Sequence, residues 1–242
     1  MATTESNLQP VSGTVPDTRP PMRPPVVELV GPAAVGKTSL LLALNGSDGR
    51  LRSGPRLPKH RHLRSAVSLA PTFAGLHRPF RGLLWKEMKR MTYLSTLLRL
   101  LKEPRFDGAG ALVLDEGAVY MFARLLVFGE ERIRSRAFQR WWSEASEQWA
   151  GALDLLVCLD APDAILIQRL RTRNQPHPMK AFSDEAIARF LSSYRDAYER
   201  VIASLTVSGG PRVIRVRTDE ESLGQTTKRI AAELRCIEGR RT

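Results

Sequence analysis

The chain has 242 residues, 43% hydrophobic and 26% charged, which suits one domain with a real core and excludes a disordered or fibrous polymer. Its net charge is +12, and fourteen basic against two acidic residues between Arg50 and Arg105 carry the whole excess, since the other 23 basic and 23 acidic residues cancel. A charge excess confined to one stretch points to an anionic partner at one surface, or to a solvated basic face.

No apolar run approaches the roughly 18 residues of a membrane span. The first residues, MATTESNLQPVSG, have neither the basic start nor the apolar centre of a secretory leader. Two cysteines, Cys158 in an apolar run and Cys236 in the last helical pattern, give no disulfide framework and no metal-binding spacing. A reducing, cytoplasmic setting is therefore expected.

Residues 1–24 are polar and end in RPPMRPP, which predicts a disordered Pro-rich tail ahead of a folded unit over 25–242. The apolar run 26–30 predicts a buried parallel strand. A Gly-containing loop and a helix over 37–44 follow, with Asn45-Gly46 as its C-cap. Residues 46–82, rich in Gly, Pro, Arg and His, read as irregular. Residues 83–102 have amphipathic helical spacing, with Trp85, Met88, Tyr93 and Leu97 as packing positions. A second strand is expected over 109–114. Helices are expected over 118–128 and 131–149, the latter with Trp141, Trp142 and Trp149 in the core. A third strand over 153–159 leads to a helix over 162–171, opened by Pro162 and Asp163. A basic loop spans 172–182, Ser183 opens a helix to about Leu205, and a strand over 213–216 precedes a closing helix over 219–237. Strands alternating with helices predict an α/β three-layer sandwich, a mostly parallel sheet with helices on both faces.

The sharpest chemistry lies at the end of the first strand. Gly31-Pro32-Ala33-Ala34-Val35-Gly36-Lys37-Thr38 fits G-x-x-x-x-G-K-[ST] without deviation, and Ser39 continues it into the helix. The glycines permit tight turns, successive amides form an anion cradle, and the helix adds the positive end of its dipole. Lys37 is expected on the β- and γ-phosphates of ATP and the Thr38 hydroxyl on Mg²⁺. Whether the nucleotide is ATP or GTP stays open.

A P-loop enzyme needs a carboxylate at the end of a neighbouring strand, and Asp115-Glu116 follows the second one. One would hold the metal and the other orient or deprotonate an acceptor; Asp115 is taken as the metal ligand beside Thr38, with the division of roles left open. Three arginines at alternating positions, Arg169, Arg171 and Arg173, follow the third strand. Guanidinium forks there suit a phosphoryl-transfer state, and a mobile arginine segment over 168–182 can close over a triphosphate.

With these motifs the chain resembles the thymidylate kinase and deoxynucleoside kinase branch of P-loop kinases. The resemblance rests on the P-loop, on Asp115-Glu116, on LDAPDAILIQRLRTR, on the helix over 184–205 and on VIRVRTDEES, and it spans about residues 26–237. It implies a five-stranded parallel sheet, ATP with Mg²⁺ and phosphoryl transfer, with Arg169, Arg171 and Arg173 as lid arginines and Thr218 beside the adenine. Kinases of this branch usually show an Asp-Arg pair where this chain has Asp115-Glu116-Gly117.

In such kinases the segment between the P-loop helix and the carboxylate strand handles the acceptor, here residues 46–108. Residues 50–65 hold six Lys or Arg and no acid, and His60, His62, Phe73, His77, Phe80 and Trp85 lie within the wider segment. Basic and aromatic residues interleaved suit an anionic or nucleoside-like acceptor, and also nucleic acid. Three readings stay open: a kinase of a small nucleoside, nucleotide or other hydroxyl or phosphate acceptor; a kinase of a nucleic-acid end or glycan; and an ATP-binding switch. A homodimer stays open as well.

Overall fold

The computed structural model describes residues 23–47, 52–54, 57–77, 85–103, 110–129, 135–207 and 209–240. Residues 1–22 of the expected tail over 1–24 and the aromatic Phe80 lie outside the described residues. In chain order the elements are β1 (Val26–Val30), α1 (Lys37–Ser47), β2 (Arg52–Ser53), α2 (Lys59–Ser68), α3 (Ala70–His77), α4 (Trp85–Leu101), β3 (Leu112–Leu114) and α5 (Ala118–Phe128). Next come α6 (Arg136–Ala150), β4 (Leu155–Asp160), α7 (Asp163–Thr172), a 3-10 turn (Pro178–Ala181), α8 (Asp184–Thr206), β5 (Arg212–Arg217) and α9 (Leu223–Gly239). No described helix is long and apolar enough to cross a membrane.

The strands form one parallel sheet in the order β2-β3-β1-β4-β5, with β2 only two residues long at the edge. Side-chain alternation along β1 divides two cores. Val26 and Val30 face the layer built from α4, α5, α6 and α8, where Phe122 and Trp149 are fully buried. Val27 and Leu29 face the layer of α1, α7 and α9. This is the expected sandwich, and the alternation explains it: a strand buried on both sides has no polar face to spare.

Caps set the helix ends. Ser183 accepts a hydrogen bond from the Ala186 amide to open α8, and Ser222 with Gln225 forms a capping box that starts α9. That box places the start at Leu223, while residues 218–220 turn away from β5. Two expectations fail. The described residues of the stretch 46–82 are not irregular, since they hold β2, α2 and α3, and α1 runs through Asn45 and Gly46 to Ser47 instead of capping there. Trp85 is 55% exposed, while Leu97, Trp141 and Trp149 are buried and Met88, Tyr93 and Trp142 pack against the core.

Because α1, α5 and α7 each leave a strand at its carboxyl end, their N-termini gather on one edge of the sheet. Arg195 on α8 fastens that edge. Its Nε lies 3.0 Å from both carboxylate oxygens of Asp160, its Nη1 2.6 Å from Asp163 Oδ1 and its Nη2 2.9 Å from the Ala161 carbonyl.

Candidate active site

The loop between β1 and α1 is shaped by its neighbour β4. A Cβ at Gly31, where φ is +154°, would lie 2.4 Å from the Leu159 carbonyl oxygen, so only glycine lets the two backbones approach. Ala34 holds a left-handed φ of +63° despite its Cβ, a small strain of the kind that collects at binding loops. All nine residues from Gly31 to Ser39 line one cavity of about 550 Å³. Lys37 Nζ donates to the carbonyls of Gly31 at 2.7 Å and Pro32 at 3.1 Å. Burial pushes the Lys37 amine below its usual range, while Asp115 and Glu116 pull it back up.

Asp115 and Glu116 line the same cavity. Asp115 is half-buried, and its Oδ1 has no hydrogen-bond partner among the described residues. Thr38 is exposed at the first turn of α1. Two hard oxygen donors on one cavity, one of them unpartnered, fit Mg²⁺, which takes few protein ligands beside phosphate and water.

The three arginines do not act alike. Residues four apart share a helix face, so Arg169 and Arg173 both line the cavity. Arg171, half a turn away, points to the 3-10 turn, where its guanidinium donates to the carbonyls of Lys180 and Phe182 and pairs with Asp184 Oδ1 at 2.7 Å. Its expected place over the triphosphate is corrected by this helical geometry: α7 runs to Thr172, so alternation sends Arg171 outward. Arg169 donates to Thr218 twice, at 2.9 Å to Oγ1 and 3.0 Å to the carbonyl. The pair forms one wall of an adjoining cavity of about 300 Å³, which reaches Ser39 and Leu40 of α1 and Glu221 beyond β5.

Arg169→Ala should weaken nucleotide binding about tenfold, whereas Arg171→Ala should leave it within about twofold. Equilibrium titration of both variants with a non-hydrolysable ATP analogue measures this. Equal losses would contradict the separation of the two side chains.

The segment 46–108 meets the carboxylates through Ser53, Gly54, Tyr93 and Leu97, which with Asp115 and Glu116 line a cavity of about 240 Å³. Tyr93 Oη donates to the Glu116 carbonyl at 3.2 Å. Arg61, Arg64 and Arg99 lie elsewhere, around a cavity of about 250 Å³ with His60 and Glu103. Arg61 pairs with Glu103, and Arg99 donates to Ser68 Oγ at 2.8 Å.

No protein-family model matches the sequence, and no curated protein matches it. Solved structures do. The YorR protein of Bacillus subtilis, in complex with phosphorylated GDP, superposes with a TM-score of 0.50 at 14% identity, covering 88% of this chain and 98% of its own. Deoxyadenosine kinase from M. mycoides with bound dCTP superposes with a TM-score of 0.50 at 11% identity, covering 87% and 99%. The same kinase with bound dATP gives 0.50 at 12% identity, with 87% and 99% covered. The chain has the P-loop kinase fold.

Within this P-loop kinase fold, several residues that short motifs do not mark reach the site. Phe190, Tyr194 and Tyr198, one turn apart on α8, form an aromatic wall of the cavity with Tyr120 of α5. Their i, i+4 spacing was the available signal. Tyr198 Oη donates to the Gly31 carbonyl at 3.2 Å, the same oxygen that holds Lys37. Burial pushes Tyr194 up to about 12 and Tyr198 well above its usual range, so both stay neutral donors. Glu28 was the other omission, a lone acid in the apolar run VVELV. It is fully buried and accepts the amides of Val119 at 3.1 Å and Tyr120 at 3.0 Å, so a carboxylate on β1 caps the helix that follows Asp115-Glu116.

Proposed function

We propose that the chain transfers the γ-phosphate of ATP to a hydroxyl or phosphate group of a small nucleoside-like or nucleotide acceptor. The observation that carries this reading is convergence. The complete P-loop, the carboxylate pair, Arg169 and Arg173 border one cavity of about 550 Å³ that Tyr120, Phe190, Tyr194 and Tyr198 also line. A switch that only binds a triphosphate needs no second wall. A cavity of this volume lies in the ordinary range of small-molecule sites. The fold neighbours are seen with bound dATP, dCTP and phosphorylated GDP, which supports a nucleotide chemistry of the same kind here.

The residues divide the work by position. Lys37 and the loop amides hold the phosphates of the donor, and Arg173 places a positive charge beside them. Thr38 and Asp115 would hold Mg²⁺, which when bound neutralises phosphate charge. Glu116, exposed at the rim, orients the acceptor group and takes its proton. Arg169 and Thr218 frame the cavity suited to the adenine. Flat acceptor rings stack on Tyr120 and Tyr194.

The test is transfer from γ-labelled ATP with Mg²⁺ to a panel of deoxynucleosides and nucleoside monophosphates. Label in at least one acceptor, with ATP consumption that depends on it, is expected. Tight ATP binding with hydrolysis indifferent to every added acceptor would establish a switch instead.

A further inference from the structure

From the side chains behind the aromatic wall, we infer that Arg90 of α4 and Arg124 of α5 form an anion subsite, and that the acceptor carries an oxyanion group at the end remote from its reacting atom. This deepens the function proposed above and rests on it.

The two guanidiniums share one ring. Arg90 Cζ lies 5.6 Å and Arg124 Cζ 5.8 Å from the centroid of Phe128, which closes α5 and is 51% exposed. Arg124 also lies 5.6 Å from the Tyr120 ring and donates from Nη1 to Tyr120 Oη at 3.3 Å. Tyr120 lines the main cavity, as does Tyr194, whose ring meets Phe128 at 6.3 Å. The pair therefore stands directly behind Tyr120 and Tyr194 of the aromatic wall.

The donors there are underused. Arg90 Nη1 and Arg124 Nε are buried and have no hydrogen-bond partner among the described residues. Buried donors on a charged group rarely stay unmatched in a folded protein. Each cation also feels the other. The Arg90 guanidinium is held below its ordinary range by burial and by Arg124, and Glu87 on its own helix offsets this in part. Two like charges stacked on one ring, with N–H groups to spare, are the arrangement that a phosphate or carboxylate relieves. The helical rise puts Arg124 about 9 Å along α5 from Ala118, next to the carboxylate loop. An acceptor reacting near Glu116 thus presents its anion at its other end.

The test uses the full chain loaded with a non-hydrolysable ATP analogue and Mg²⁺, which blocks the P-loop to other phosphates. Calorimetric titration then compares phenyl phosphate, benzoate and phenol. Phenyl phosphate is expected to bind at least about tenfold more tightly than phenol, and Arg90→Gln and Arg124→Gln each to lose roughly tenfold to a hundredfold of that affinity. Benzoate binding like phenyl phosphate assigns the subsite to any oxyanion; benzoate binding like phenol assigns it to phosphate. Arg90→Lys and Arg124→Lys keep the charge but lose the fork, and a reduced affinity in them serves the same purpose if a glutamine variant folds poorly. Phenol binding as tightly as phenyl phosphate, or variants binding like wild type, would overturn the inference. The analogue titration reads the P-loop proposal separately. If the analogue fails to bind, that function falls, while the wild-type-to-Arg124→Gln difference with phenyl phosphate still judges the arginine pair.

Discussion

Lys37→Ala is expected to lower phosphoryl transfer about 10²–10³-fold while leaving the fold in place. The charge of Lys37 is aimed at the cavity. Its amine is held by two carbonyls, those of Gly31 and Pro32, and makes no ion pair among the described residues. Burial weakens the protonated form, and the fields of Asp115 and Glu116 offset this in part without bonding the amine. A lysine in a partly dry site interacts with developing phosphate charge more strongly than one in water. Removing it costs the fold little, because the Gly31 carbonyl retains the Tyr198 hydroxyl. The variant should therefore melt within about 1 kcal/mol of wild type. Labelled-phosphate transfer and thermal melting together check this. Full turnover by the variant would remove the P-loop from the chemistry.

The site was legible where its residues are neighbours in sequence. Gly31 to Ser39 form a contiguous motif whose geometry is local, so the expectation and the cavity lining coincide. Asp115 and Glu116 were legible because a parallel sheet brings strand ends to one edge. What escaped is what depends on distant packing. Tyr198 reaches Gly31 across 167 positions and Glu28 reaches Val119 across 91, and no local pattern states such distances. Arg171 was misplaced for a different reason: the expected helix over 162–171 already turns Arg171 away from Arg169, and spacing along the sequence alone does not show that it faces Asp184 and the 3-10 turn.

The fold was legible through its buried strands and less so between residues 46 and 82. There α2 hides its period, since Leu63 and Val67 are 68% and 66% exposed while Ser65 is buried. Its apolar residues face outward, so no apolar stripe marks the inner face. In α3, Pro71 and Gly75 read as breakers. Pro71 instead occupies the first turn, where no amide bond is lost. Gly75 lies where α3 meets α6, and a Cβ there would come within 2.8 Å of Ala137 Cβ. That glycine serves close helix packing, which composition alone cannot distinguish from a turn.

Glu28 should make stability fall as pH rises through the neutral range, an unusual sign for a carboxylate. Burial pushes its carboxyl up to about 7, against the lowering effect of the amides at the start of α5. The folded state thus holds a proton that the unfolded chain releases near its ordinary value of 4.5. Protonation favours the folded form below 4.5, and that advantage is lost as pH rises towards 7 and beyond. The difference amounts to about 3 kcal/mol by linkage. Glu28→Gln cannot ionise. It keeps an acceptor oxygen for one of the two amides, which in the native chain donate to separate oxygens, Val119 to Oε2 and Tyr120 to Oε1, and it meets the other amide with its NH2, a cost that does not change with pH. Urea unfolding from pH 5 to 8.5 should show wild type losing about 3 kcal/mol relative to this variant, with the slope concentrated below pH 7. A constant difference across the range would mean that Glu28 keeps one protonation state throughout. The same carboxyl fills the space beside Gly117, where a Cβ would lie 2.5 Å from Glu28 Oε2. The capped start of α5 is thereby fitted to this one side chain, and with it the loop that presents Asp115 and Glu116 to the cavity.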